Sequence, residues 1–163
     1  MLSISNITKF AGIIYFRDMW QRIQTLYLAV AAALVATLFF SVKSFSVGPG
    51  GAHVDEVKYI SFVPYLILLI VTGALQLIAL VTFNARVFQM RTAVLAGLVS
   101  LGLQGWLAFD YLAAPDAVLF RWTAILPLVV AVLDFIAARL ILRDQLLVES
   151  VSRLRSRKKN RKF

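Results

Sequence analysis

No cysteine occurs in the 163 residues, which excludes a disulfide, a thiolate metal site and a cysteine nucleophile. A single histidine, His53, excludes a multi-histidine metal centre built within one chain. Acid is scarce too: 8 Asp and Glu stand against 17 Lys and Arg, a formal net charge of +9. No P-loop, dinucleotide fingerprint, zinc spacing or nucleophile–base motif occurs, so nothing in the sequence argues for an enzyme or a cofactor.

What is abundant is apolar surface. Hydrophobic residues make up 61% of the chain and the mean hydropathy is +0.84. A soluble domain carries about 45–50%. A chain of this size cannot bury that excess inside a globule, so lipid must cover it. The segments about 25–42, 60–83, 92–112 and 122–142 are each apolar over some 20 residues, the length that crosses a hydrocarbon core at about 1.5 Å per residue. These predict an all-α polytopic membrane protein of four transmembrane helices in two antiparallel hairpins, occupying residues 19–142.

Residues 1–18 form an N-terminal extension that is too short in its apolar run to span. It reads either as an interfacial helix or as an upstream stretch that a start at Met19 omits. The loop 43–59 carries the turn signal Gly48-Pro49-Gly50-Gly51 between alternating residues that could form a small hairpin. His53, Asp55 and Glu56 there read as a solvated loop rather than a metal patch. Pro64 is expected in the first turn of the second helix and Asp116 at an N-cap, and Pro127 marks a possible kink in the fourth.

The third helix is rich in small residues: Ala93, Ala96, Gly97, Ser100, Gly102, Gly105 and Ala108. Small side chains let helices approach closely, so this helix is expected to be the central packing element. Residues 143–163 read as a cytoplasmic juxtamembrane helix followed by a basic tail. In that helix Leu147, Val151 and Leu154 form an i, i+4, i+7 stripe, suited either to the membrane surface or to a partner.

Sidedness follows from the cations. Lys9, Arg17, Arg22, Arg86, Arg91 and everything from Arg139 onward fall on one side, 14 in all, against Lys43, Lys58 and Arg121 on the other. The positive-inside rule then puts both termini in the cytoplasm. Arg143, Arg155, Arg157, Lys158, Lys159, Arg161 and Lys162 suit anionic lipid headgroups at about 1 kcal/mol per nearby cation. Apart from Phe163 no aromatic residue is interleaved for base stacking, which makes nucleic acid the poorer partner.

The two ends carry a resemblance. Met19 to Thr25 reads MWQRIQT and runs into the first apolar helix. Leu147 to Arg155 reads LVESVSRLR, preceded by Ala138-Arg139-Leu140-Ile141 and by Asp144. This resembles a family of small bacterial four-helix integral membrane proteins known only as a domain of unknown function, with a Met-x-Gln-Arg-Ile-Gln-Thr start and a Leu-Val-x-Ser…Arg-Leu-Arg end. Gln145 departs from the family's second acid, and RSRKKNRKF follows the shared ending. The resemblance implies a Gram-negative inner-membrane protein and no activity.

One residue stands out as chemistry. Asp134 lies near the middle of the fourth helix, where a carboxylate costs about 2.5–3.5 kcal/mol. It is about 8 residues from the cytoplasmic end of its helix, and Gln76 is about 7 from the end of the second, so their depths match within a turn. A neutral Asp134 hydrogen-bonded to Gln76 costs little and braces the bundle. Gln104, on the stripe of Ser100 and Ala108, is a third candidate intramembrane polar residue. Two functions are expected from different classes. One is a non-enzymatic small subunit, scaffold or assembly factor of a membrane complex, bound to a protein partner or to further copies of itself. The other is a small oligomeric transporter or channel with Asp134 as a proton or cation site.

Overall fold

The computed structural model describes residues 23–47, 53–82, 85–114 and 118–160, with side chains described as far as residue 150. The chain is mostly helical. Helix α1 (Ile23–Phe40) leads into strand β1 (Val42–Val47) and strand β2 (His53–Lys58). A short 3-10 turn, Tyr59–Ser61, precedes α2 (Val63–Val81), in which Pro64 occupies the first turn. Helix α3 (Arg86–Ala113), strand β3 (Val118–Phe120), a second 3-10 turn (Trp122–Ile125) and α4 (Leu126–Asn160) complete the order. Four of these helices are long and apolar enough to cross a membrane.

Helix α3 packs against both α2 and α4. The sequence makes this possible, because Ala93, Ala96, Gly97 and Ser100 turn their short side chains inward and are buried. Two apolar clusters fill the bundle. Towards the strands, Val35, Leu38, Tyr65, Leu69, Leu103 and Val130 pack together; towards the other end, Leu28, Ala79, Ala93, Ala137 and Ala138 do so.

A three-stranded sheet in the order β2-β1-β3 caps one end of the bundle. The hairpin read from loop 43–59 is present: β1 pairs antiparallel with β2, with Phe45 opposite Glu56. The third strand is an addition to the all-α expectation. Phe45 also faces Leu119 of β3, the Arg121 N–H donates to Lys43 O at 3.0 Å, and Thr123 Oγ1 donates to Val42 O at 3.0 Å. The entry to α4 is thereby tied to the exit from α1.

One further expectation is corrected. The break placed after Leu142 is absent, and α4 runs on to Asn160 with no separate juxtamembrane helix. Neither Gly nor Pro occurs between Leu128 and Asn160, so no residue there interrupts the helical hydrogen bonding. At about 1.5 Å per residue the 35-residue helix is about 52 Å long, beyond the ~30 Å of a hydrocarbon core. Pro127 is the second residue of α4, directly after the 3-10 turn Trp122–Ile125. The N-cap expected at Asp116 and the extension 1–18 lie outside the described residues.

Candidate functional site

Asp134 is fully buried on α4, and Gln76, also fully buried, meets it from α2. Gln76 Nε2 lies 2.7 Å from Oδ1 and 2.7 Å from Oδ2, so one amide nitrogen serves both carboxyl oxygens. The third wall is Gly97 of α3. A Cβ placed there would stand 3.3 Å from Asp134 Cβ and 3.3 Å from Phe135 Cζ, so α3 can approach the aspartate only because position 97 has no side chain.

One turn further towards the sheet, Thr72 of α2 and Ser100 of α3 are each only 1% exposed. Thr72 Oγ1 donates to Leu68 O at 2.8 Å, a bond within its own helix. Ser100 Oγ and Gln76 Oε1 are buried without a protein hydrogen-bond partner. Gln104 does not join this group. Its Oε1 accepts the Leu128 N–H at 3.2 Å, two turns nearer the sheet, and so serves a donor in the first turn of α4.

Charged groups close both ends of the bundle. At the sheet end Lys43 Nζ donates to Asp110 Oδ2 at 2.6 Å, and Tyr65 Oη donates to the same oxygen at 2.6 Å. Lys43 Nζ also sits 4.7 Å from the Tyr65 ring centroid and 5.6 Å from that of Phe120, a cation held between two aromatic faces. Tyr59 is fully buried and meets Tyr65 edge-on at 6.3 Å, and burial raises the pKa of its phenol. At the opposite end Arg86 Nη1 of α3 donates to Asp144 Oδ2 of α4 at 2.5 Å, and Gln24 and Gln89 are buried nearby in depth.

These two ion pairs carry no local sequence signal. Lys43 and Asp110 are 67 residues apart and Arg86 and Asp144 are 58 apart, so only the fold brings them together. Among the expected tail contacts, Arg143 and Leu147 are exposed on α4, and Val151, Leu154, Arg155, Arg157, Lys158 and Lys159 lie on its last turns. Arg161 and Lys162 fall outside the described residues. Strand alternation sets Glu56 on the face of β2 opposite Asp55, and no group of three metal-ligating side chains forms among the described residues.

The outer surface of α3 differs from its inner one. Gly102, Gly105 and Ala108 face outward with Leu98, Leu101 and Phe109, and a Cβ at either glycine would meet nothing within 4 Å. The third helix therefore carries two small-residue faces, one closed inside the bundle and one open.

Compared with known families, residues 20–154 match the sequence model of a family described as Domain of unknown function (DUF4293). No curated protein matches the chain.

Proposed function

We propose, for a chain that belongs to the DUF4293 family, a non-enzymatic role as a small subunit, scaffold or assembly factor of a larger complex in the bacterial inner membrane. The observation that carries this reading is the open glycine face of α3. Helix association in lipid is driven by close packing, which small residues permit. Ala93, Ala96, Gly97 and Ser100 serve that purpose inside the chain, whereas Gly102 and Gly105 meet no other helix among the described residues. A transmembrane helix of a partner protein fits there.

The interior supports a static part. Asp134, Gln104, Asp110 and Asp144 are each hydrogen-bonded to a group of a neighbouring helix, which braces α2, α3 and α4 against one another. The cation asymmetry of the sequence supports two antiparallel hairpins with both termini in the cytoplasm. The sheet is then extracytoplasmic. Arg143, just past the apolar stretch of α4, suits anionic headgroups, and the basic residues from Arg153 onward continue the helix on the cytoplasmic side.

The test is a pull-down of the tagged protein in gentle detergent after cross-linking in cells, with Gly105→Leu beside it. A stoichiometric partner captured by the wild type and lost by Gly105→Leu is the expected result. An identical set of bound proteins for both would remove the reading. One observation favours the second reading, a small oligomeric transporter or channel: no cationic side chain among the described residues pairs with Asp134. That reading requires Asp134→Asn to abolish flux in proteoliposomes, and unchanged flux would end it.

A further inference from the structure

The polar residues of the bundle core are set at defined levels by the contacts between helices. Gly97 opposes Asp134 and Gln104 opposes Leu128, so contacts climb α3 as they descend α4. Gln76 joins Asp134 from α2 at the same level. Ser100 is three residues beyond Gly97 and Thr72 is four before Gln76, which puts both about one turn nearer the sheet. Four buried polar side chains thus occupy two adjacent layers between α2, α3 and α4.

Their donors and acceptors do not balance. Asp134 accepts from one amide nitrogen, and each of its oxygens keeps a further lone pair. Gln76 Oε1 and Ser100 Oγ have no protein partner, and the Thr72 hydroxyl, having given its proton to Leu68 O, presents only lone pairs. Ser100 still has one hydroxyl proton to give, but the oxygen lone pairs of these layers, including those of an acid, outnumber it. The ion pairs Lys43–Asp110 and Arg86–Asp144 sit at the bundle ends, and neither includes Asp134. A carboxylate buried in such surroundings is stabilised only by a positive charge or a proton.

We infer that Asp134, with the unpartnered oxygens of Gln76 and Ser100, binds one small hard monovalent cation with the chemistry of sodium inside the bundle. Oxygen-only ligands select hard cations over transition metals. One carboxylate cancels one charge, so a monovalent ion leaves the core neutral and a divalent ion leaves it positive. The ion would be a resident of the core that ties α2, α3 and α4 together, with nothing carried across the membrane. This site is independent of the partner-binding reading, and its test needs no partner.

The experiment is thermal unfolding of the full chain in neutral detergent while NaCl replaces choline chloride at constant ionic strength. Sodium at a hundred times its dissociation constant should raise the melting temperature by roughly 5–10 °C for a chain of this size. Asp134→Asn should melt at a temperature that ignores sodium, and Ser100→Ala should respond with a midpoint at higher sodium. Wild-type melting that is insensitive to the exchange would overturn the inference, as would a sodium response in Asp134→Asn equal to the wild type. If Asp134→Asn does not fold, an unshifted midpoint in Ser100→Ala overturns it instead. Full stabilisation by acid alone, with no sodium response, would assign the site to a proton and refute the cation.

Discussion

Replacing Gly97 by alanine pits two opposing effects against each other at one atom. Alanine is the better helix former by about 1 kcal/mol, and at an unobstructed helical site that gain is realised. Gly102 and Gly105 are such sites, since nothing lies within 4 Å of a Cβ there. At Gly97 the new methyl would stand 3.3 Å from Asp134 Cβ and 3.3 and 3.4 Å from two atoms of the Phe135 ring. The ring edge can tilt by a few tenths of an ångström. The aspartate Cβ is less free, because moving it draws the carboxyl away from Gln76 Nε2, 2.7 Å from both its oxygens. Overpacking of this kind costs about 1–3 kcal/mol. The net expectation is therefore a loss of about 1 kcal/mol for Gly97→Ala and a gain of about 0.5–1 kcal/mol for Gly105→Ala, opposite signs on one helix. Equilibrium unfolding of the purified variants in mixed micelles reads both. If Gly97→Ala proves as stable as Gly105→Ala, α3 does not press on Asp134 and the reasoning fails.

Tyr65→Phe deletes a hydroxyl bonded to the Asp110 carboxylate and should cost about 1.5–3 kcal/mol, read as a lower denaturant midpoint without loss of helical circular dichroism; an unshifted midpoint would show that Lys43 alone satisfies Asp110. Gln76→Leu leaves Asp134 buried without its amide and should cost about 3 kcal/mol, whereas Gln76→Leu with Asp134→Leu should recover most of that. A double variant no more stable than the single one, in a thermodynamic cycle, would contradict the pairing.

How much of this could be read without coordinates depends on the range of the interaction. The four spans are legible because hydropathy is a property of consecutive residues, and their ends shift where it is not. Helix α3 starts at Arg86 rather than near Thr92 because Arg86 and Gln89 are held by tertiary contacts and burial that no window of apolarity detects. The match in depth between Gln76 and Asp134 follows from counting residues to the helix ends, and the hydrogen bond joins them. Strand β3 escaped because three residues are too few for a pattern, and its partner β1 lies far back in the chain. The small residues of α3 were legible as packing elements, but which of them face inward depends on where the neighbouring helices lie.

The pairing of β1 with β3 imposes an order on biosynthesis. Strand β1 ends at Val47 and β3 begins at Val118, about 70 residues later. At about 5–20 residues per second, the ribosome delivers β3 on the order of 4–14 s after β1. Until β3 is made, the outer edge of β1 has no partner strand, and an unpaired edge is prone to joining foreign strands. The clasp between the exit of α1 and the entry of α4 closes only when the fourth helix arrives. A chain stalled before Val118 would therefore leave open an edge of β1 that the finished protein pairs.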